Sequence, residues 1–79
     1  MVTINELKEI LETVFPDQYD LSKITEESNL VKDVGLNSIG FLYLAMVLEE
    51  KYSIQFSNND LEKLRTVADV LSLIEERKN

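Results

Sequence analysis

Apolar residues recur along this chain in segments of different character. Over the first fifteen residues they fall at helical spacing. Leu7, Ile10, Leu11, Val14 and Phe15 line one side, with Glu6, Glu9 and Glu12 turned outward. Thr3 and Glu6 stand at capping-box spacing, in which the threonine caps and the glutamate reaches back to it. Pro16 supplies the stop, so the pattern predicts a first helix from about Asn5 to Phe15.

From Pro16 to Leu36 no period is sustained. Tyr19, Leu21, Ile24, Leu30 and Val31 are scattered among polar residues. So long a connection is unusual unless its apolar side chains pin it across the other elements, here with a short turn at Thr25–Asn29. Gly35 suits a backbone position with positive φ just before the next helix.

The pattern then changes. From Val34 to Leu48 there is no charged residue, in a chain whose charged content is 29%. A second helix is predicted from Asn37 or Ser38 to near Tyr52. Leu42, Ala45, Leu48 and Tyr52 make one stripe, supported by Ile39 and Leu44. Phe41, Tyr43 and Val47 lie close to the opposite side, so the helix is apolar nearly all round. Such a helix is either deeply buried or presents an apolar binding face. A chain of 79 residues can hardly surround one helix completely. The binding face is the favoured reading.

Ser53–Ser57 alternates like a strand without a partner, so Ile54 and Phe56 are expected to anchor an extended link. Asn58–Leu64 reads as a short third helix with Leu61 and Leu64 inward. Thr66 and Asp69 stand at capping-box spacing ahead of a fourth helix, whose stripe is Val67, Val70, Leu71 and Ile74. Glu75–Asn79 is expected to fray as a charged tail. The fold class is therefore all-α: a small four-helix bundle with a long loop between helices one and two and a short third helix. Residues 1–79 form one domain, without repeats or linkers.

Composition narrows the chemistry. No cysteine is present, which excludes a disulfide framework, a thiol nucleophile and a thiolate metal site. No histidine is present either, which removes the usual general base at neutral pH. Fifteen acidic against eight basic residues give a net charge of −7. That surface repels nucleic acid and anionic membranes and favours partners with basic patches. The amino-terminal residues lack the basic and apolar regions of a signal peptide, and the uncharged run at 34–48 is too short to span a bilayer. A cytoplasmic protein is expected. Gly35 and Gly40 do not make a phosphate-binding loop. Asp60 and Glu62 are better read as solvated helix charges than as cation ligands. By elimination the chain is a scaffold or carrier.

Among six serines, only Ser38 opens a helix after a glycine turn. A helix amino terminus has unpaired N–H groups and a partial positive charge, which would stabilise a phosphate ester there. The simpler alternative, favoured on local sequence alone, is that Asn37 or Ser38 is an ordinary N-cap.

Three stretches together resemble the acyl carrier protein family. They are Asp33-Val34-Gly35-Leu36-Asn37-Ser38-Ile39, Leu48-Glu49-Glu50-Lys51-Tyr52-Ser53-Ile54 and Thr66-Val67-Ala68-Asp69-Val70. The resemblance covers nearly the whole chain. It implies that Ser38 carries 4′-phosphopantetheine, joined by a phosphodiester by a separate phosphopantetheinyl transferase. The arm's thiol then carries acyl groups as thioesters between loading and condensing enzymes. The protein is accordingly expected to be a monomeric carrier and not an enzyme.

The chain departs from the family pattern at three positions. Asn37 stands where aspartate is usual; it caps a helix about as well but removes a charge from the edge where the transferase docks. Gly40 and Tyr43 stand where fatty-acid carriers usually have acidic residues. Asn37 and Ile39 beside the serine, the apolar Phe41, Tyr43, Met46 and Val47, and the acidic Glu49 and Glu50 are therefore the expected partner surface. These departures imply a specialised carrier of fatty-acid, polyketide or related biosynthesis. The sequence does not separate acyl from aminoacyl or peptidyl cargo. The competing reading from another class is an unmodified helical interaction domain that binds through the second helix.

Overall fold

The computed structural model describes residues 2–78. Its described residues form four α-helices and one π-helical turn: α1 (Ile4–Val14), the π turn (Leu30–Val34), α2 (Ser38–Tyr52), α3 (Asn58–Lys63) and α4 (Val67–Arg77). The all-α arrangement is the one the periodicity predicts. No helix among these residues is long and apolar enough to cross a membrane.

Thr3 caps α1 by accepting the Glu6 N–H at 3.3 Å. The reciprocal half of the expected box does not form. The Glu6 carboxylate instead accepts the Tyr52 hydroxyl at 3.1 Å, joining the start of α1 to the end of α2. A long-range partner has displaced a local one. Ser57 and Thr66 do form full capping boxes, with Asp60 and Asp69. The Ser57 box, absent from the sequence reading, explains why so short a segment as α3 holds a helix.

The connection from α1 to α2 is more ordered than its sequence suggests. Asn29 Oδ1 accepts the N–H groups of Val31 and Lys32, while the Asp33 carboxylate accepts the Asn29 N–H at 2.7 Å. Backbone bonds from Val34 to Asn29 and from Leu36 to Leu30 then close the wide π turn. The segment is also fastened to the link before α4. Leu30 N–H donates to Arg65 O at 2.8 Å, Val67 N–H to Ser28 O at 3.0 Å and Ala68 N–H to Glu26 O at 2.7 Å. An isolated antiparallel bridge pairs Asn29 with Thr66. The expected turn at Thr25–Asn29 is present as a Ser28-to-Thr25 backbone bond.

Leu7, Leu11, Leu30, Leu36, Leu44, Leu48, Val67, Val70 and Ile74 are fully buried and knit α1, the π turn, α2 and α4 into one core. Ile54 is buried and Phe56 half-buried, so the link after α2 is anchored as expected. Two expectations are corrected. The α2 stripe facing the core runs through Gly40, Leu44, Ala45 and Leu48, whereas Leu42 is 53% exposed and Ile39 lies outside it. A helix apolar on every side gives no periodic signal to choose between these faces. The charged end of α4 does not fray within the described residues. It stays helical to Arg77, which binds Asp60, while the Glu75 carboxylate accepts the Val2 N–H at 2.8 Å. Asn79 lies outside the described residues.

Candidate functional site

Two buried side chains, Val34 and Leu36, grip the core on either side of Gly35. Gly35 joins them with φ of 99°, a left-handed conformation that suits glycine. The Tyr19 ring lies 3.6 Å from where a Cβ on Gly35 would stand. The turn is thus held from both sides and aims the next residues outward.

Asn37 is the N-cap of α2. It has extended backbone, its Oδ1 accepts the Gly40 N–H at 2.7 Å and its carbonyl accepts the Phe41 N–H at 2.8 Å. This resolves the alternatives that the sequence left open for local capping. Asn37 does that work, and Ser38, exposed as the first helical residue, is released from it. The first-turn N–H groups of Ser38 and Ile39 precede any intrahelical acceptor. No acidic residue stands in that turn. A phosphodiester on Ser38 Oγ would meet the positive end of the helix and a neutral cap, so the local chemistry fits such a group.

Beyond the serine, α2 presents an apolar face to solvent. Ile39 is 80% exposed, Tyr43 51% and Met46 63%, and Leu42 shares their face. Val31, on the π turn, is also exposed. The structure divides the other candidates. Phe41 and Val47 are half-buried and pack on the core. Glu49 is half-buried, and its carboxylate accepts the Phe56 N–H at 2.8 Å, so it fastens the link after α2. Glu50 is exposed. Leu42 was assigned by sequence to the core stripe, although its spacing of three from Ile39 and four from Met46 would have placed it on their face.

Asp60 and Asp69 have structural employment. Asp60 is held below the usual carboxylate range by the Ser57 N–H first and then by Arg77. Asp69 is lowered chiefly by the Arg65 N–H. Asp60, expected as a solvated helix charge, is instead buried and bound by Ser57 and Arg77, and among the described residues no group of three potential ligands is assembled.

Comparison with known proteins agrees with this geometry. The family described as a phosphopantetheine attachment site matches residues 5–74. An acyl carrier protein of Chlamydia muridarum is 37% identical over 75 residues, covering 92% of this chain and 97% of its own. That of Chlamydia felis is 36% identical over 74 residues, covering 91% and 95%. The crystal structure of an acyl carrier protein from Thermotoga maritima superposes with a TM-score of 0.82 at 23% identity, covering 94% of this chain and 84% of that one. This last likeness concerns the fold. With the family matched over most of its length and relatives aligned nearly end to end, the chain belongs to the phosphopantetheine-bearing acyl carrier protein family, whose members are carriers and not enzymes.

Proposed function

We propose that Ser38 is the attachment residue, that residues 1–79 act as one carrier domain in the cytoplasm, and that the exposed face of α2 docks a dedicated set of partners. The observation that carries this reading is the division of labour at the start of α2. Asn37 caps the helix, and the Ser38 side chain remains exposed beside the helix terminus.

Attachment requires Ser38 Oγ to bond to the phosphorus that bears the pantetheine in coenzyme A. The pyrophosphate P–O bond breaks and adenosine bisphosphate leaves. The chain has no histidine or cysteine, so the transferase supplies the base that takes the hydroxyl proton. When attached, the arm supplies the thiol that this chain lacks. Ser38 and the helix terminus position it and balance the charge of its phosphodiester.

The face formed by Ile39, Leu42, Tyr43 and Met46 favours partners with a complementary apolar groove, with Glu50 as the acidic element nearby in sequence. Docking through such a face depends less on ionic strength than docking through carboxylates. This supports a specialised carrier in preference to a general fatty-acid carrier. Productive elongation with general fatty-acid synthase enzymes would count against that specialisation.

The test is intact mass after incubation with coenzyme A and a broad-specificity phosphopantetheinyl transferase, beside Ser38→Ala. A gain of one phosphopantetheine in the parent and none in the variant is expected. No gain with several transferases would replace this reading with an unmodified interaction domain.

A further inference from the structure

Asp33 has a task that the carrier reading leaves unassigned. The residue is exposed, yet its carboxylate turns back along the chain and accepts the Asn29 N–H at 2.7 Å. Asn29 answers through its Oδ1, which accepts the Val31 and Lys32 N–H groups at 2.9 and 2.8 Å. The N–H groups at the open end of the π turn thus find their acceptors in this one pair of side chains.

Behind the pair the backbone closes on itself. The Asp33 and Val34 N–H groups both donate to Asn29 O, at 2.9 and 3.0 Å, and those of Gly35 and Leu36 both donate to Leu30 O, at 3.2 and 3.0 Å. Leu30, Val34 and Leu36 are buried, and the Leu30 N–H is fastened to Arg65 O. Residues 29–36 therefore form one hydrogen-bonded block seated in the core. Only Asn37, the cap of α2, separates that block from Ser38. The direction in which the chain leaves the block sets where Ser38 begins its helix.

We infer that Asp33 is a positioning residue for the modification of Ser38. By capping Asn29 it holds the π turn closed, and the closed turn keeps Ser38 in one place relative to the buried Leu30, Val34 and Leu36. The inference rests on attachment at Ser38. Asp33 acts through the turn and requires no contact with coenzyme A or the transferase. A single π turn is a rarely adopted geometry that needs such outside support. Without the cap the turn opens part of the time, and a transferase that requires the closed form meets fewer competent carriers. Its apparent affinity then falls with the competent fraction, while the chemical step on a bound carrier is unchanged.

The experiment is steady-state kinetics of phosphopantetheine transfer from coenzyme A to the full chain, comparing the parent with three variants. Asp33→Ala removes the cap. Asp33→Asn removes the charge but keeps an oxygen that accepts the Asn29 N–H. Tyr52→Phe loses the hydrogen bond to Glu6, away from the turn. Asp33→Ala should raise the KM for the carrier at least about threefold with kcat little changed. Asp33→Asn and Tyr52→Phe should stay within about twofold of the parent in both constants. Native-state amide exchange should show the Val34 and Leu36 N–H groups losing protection in Asp33→Ala and keeping it in Asp33→Asn. An unchanged KM in Asp33→Ala would overturn the inference. Equal impairment of Asp33→Asn would replace the cap by a charge that the transferase reads, and equal impairment of Tyr52→Phe would replace it by general loss of stability. Absence of any mass gain in the parent would overturn attachment and this inference together.

Discussion

Arg77 donates from both terminal nitrogens to the Asp60 carboxylate, at 2.7 and 2.6 Å, tying the last turn of α4 to the first turn of α3. The same carboxylate accepts the Ser57 N–H at 2.8 Å. One side chain thus caps a short helix and anchors the end of another. Its folded pKa lies below its ordinary value, so its contribution is fully present above the unfolded carboxylate pKa of about 3.9 and is lost as pH falls through the folded value. Asp69 and Glu75 act in the same direction through the N–H groups of Arg65 and Val2. Asp60→Asn should lower the melting temperature near neutral pH, and its deficit against the parent should shrink once the pH drops below about 4. Melting curves over the acid range check this. A deficit that stayed constant with pH would assign the loss to something other than ionisation.

The Tyr52–Glu6 hydrogen bond joins α2 to α1 across the bundle. Burial first, and then Glu6, push the Tyr52 phenol above its ordinary value. The sign is opposite to that of Asp60. Its contribution is present below the unfolded tyrosine pKa of about 10 and is lost as pH rises through the folded value. Tyr52→Phe should reduce stability by about 0.5–1.5 kcal/mol at neutral pH. Denaturant titration of parent and variant measures this, and the two curves should approach each other in strong alkali. An unchanged midpoint at neutral pH would mean that the bond contributes nothing net.

Helix identity was legible wherever caps and periodicity agreed, as at Thr3 with Leu7, Ile10 and Leu11, and at Thr66 with Val67, Val70 and Ile74. Ser38 stands out through the resemblance to the carrier family; on local sequence alone an ordinary N-cap is favoured, and the structure gives that cap to Asn37. Two features were not legible. The π turn depends on Asn29 and Asp33 capping each other at a spacing of four and on backbone bonds to residues 65–67. No local period encodes those long-range bonds. The facing of α2 depends on which apolar side the other elements cover, a choice that hydrophobicity cannot make when Leu42 and Leu44 are the same residue. Tyr19 was visible only as a loop anchor; its place against both Gly35 and Gly40 emerges from packing.

The two glycines around Ser38 should respond differently to alanine. At Gly35 the nearest atoms to a new Cβ lie at ordinary contact distance, 3.6 Å, but φ of 99° opposes any side chain. Gly35→Ala should therefore destabilise by about 1 kcal/mol or more. At Gly40 alanine gains about 1 kcal/mol of helix propensity, but its Cβ meets the capping oxygen of Asn37 at 3.3 Å. The cap must yield, so Gly40→Ala should realise less than that gain. Equilibrium unfolding of both variants decides the matter. A full propensity gain at Gly40 would mean that the Asn37 cap moves aside without cost.

Capping by Asn37, proposed attachment at Ser38 and core packing by Leu48 fall on three different residues, and substitution should separate them. Ser38 is exposed and does not cap the helix, so Ser38→Ala should change stability by no more than about 0.5 kcal/mol while abolishing modification. Asn37→Ala removes the acceptor of the Gly40 N–H and should cost about 1 kcal/mol. Leu48 is 1% exposed in the core, so Leu48→Ala should cost about 2–5 kcal/mol. Leu48→Ala should still accept phosphopantetheine at temperatures where it remains folded. Denaturation curves and intact mass, taken on the same preparations, test the three effects together. Comparable unfolding of Ser38→Ala and Leu48→Ala would make the serine part of the scaffold. A modified Ser38→Ala would move the attachment point to another hydroxyl, and the exposed position of Ser38 would then have no bearing on cargo.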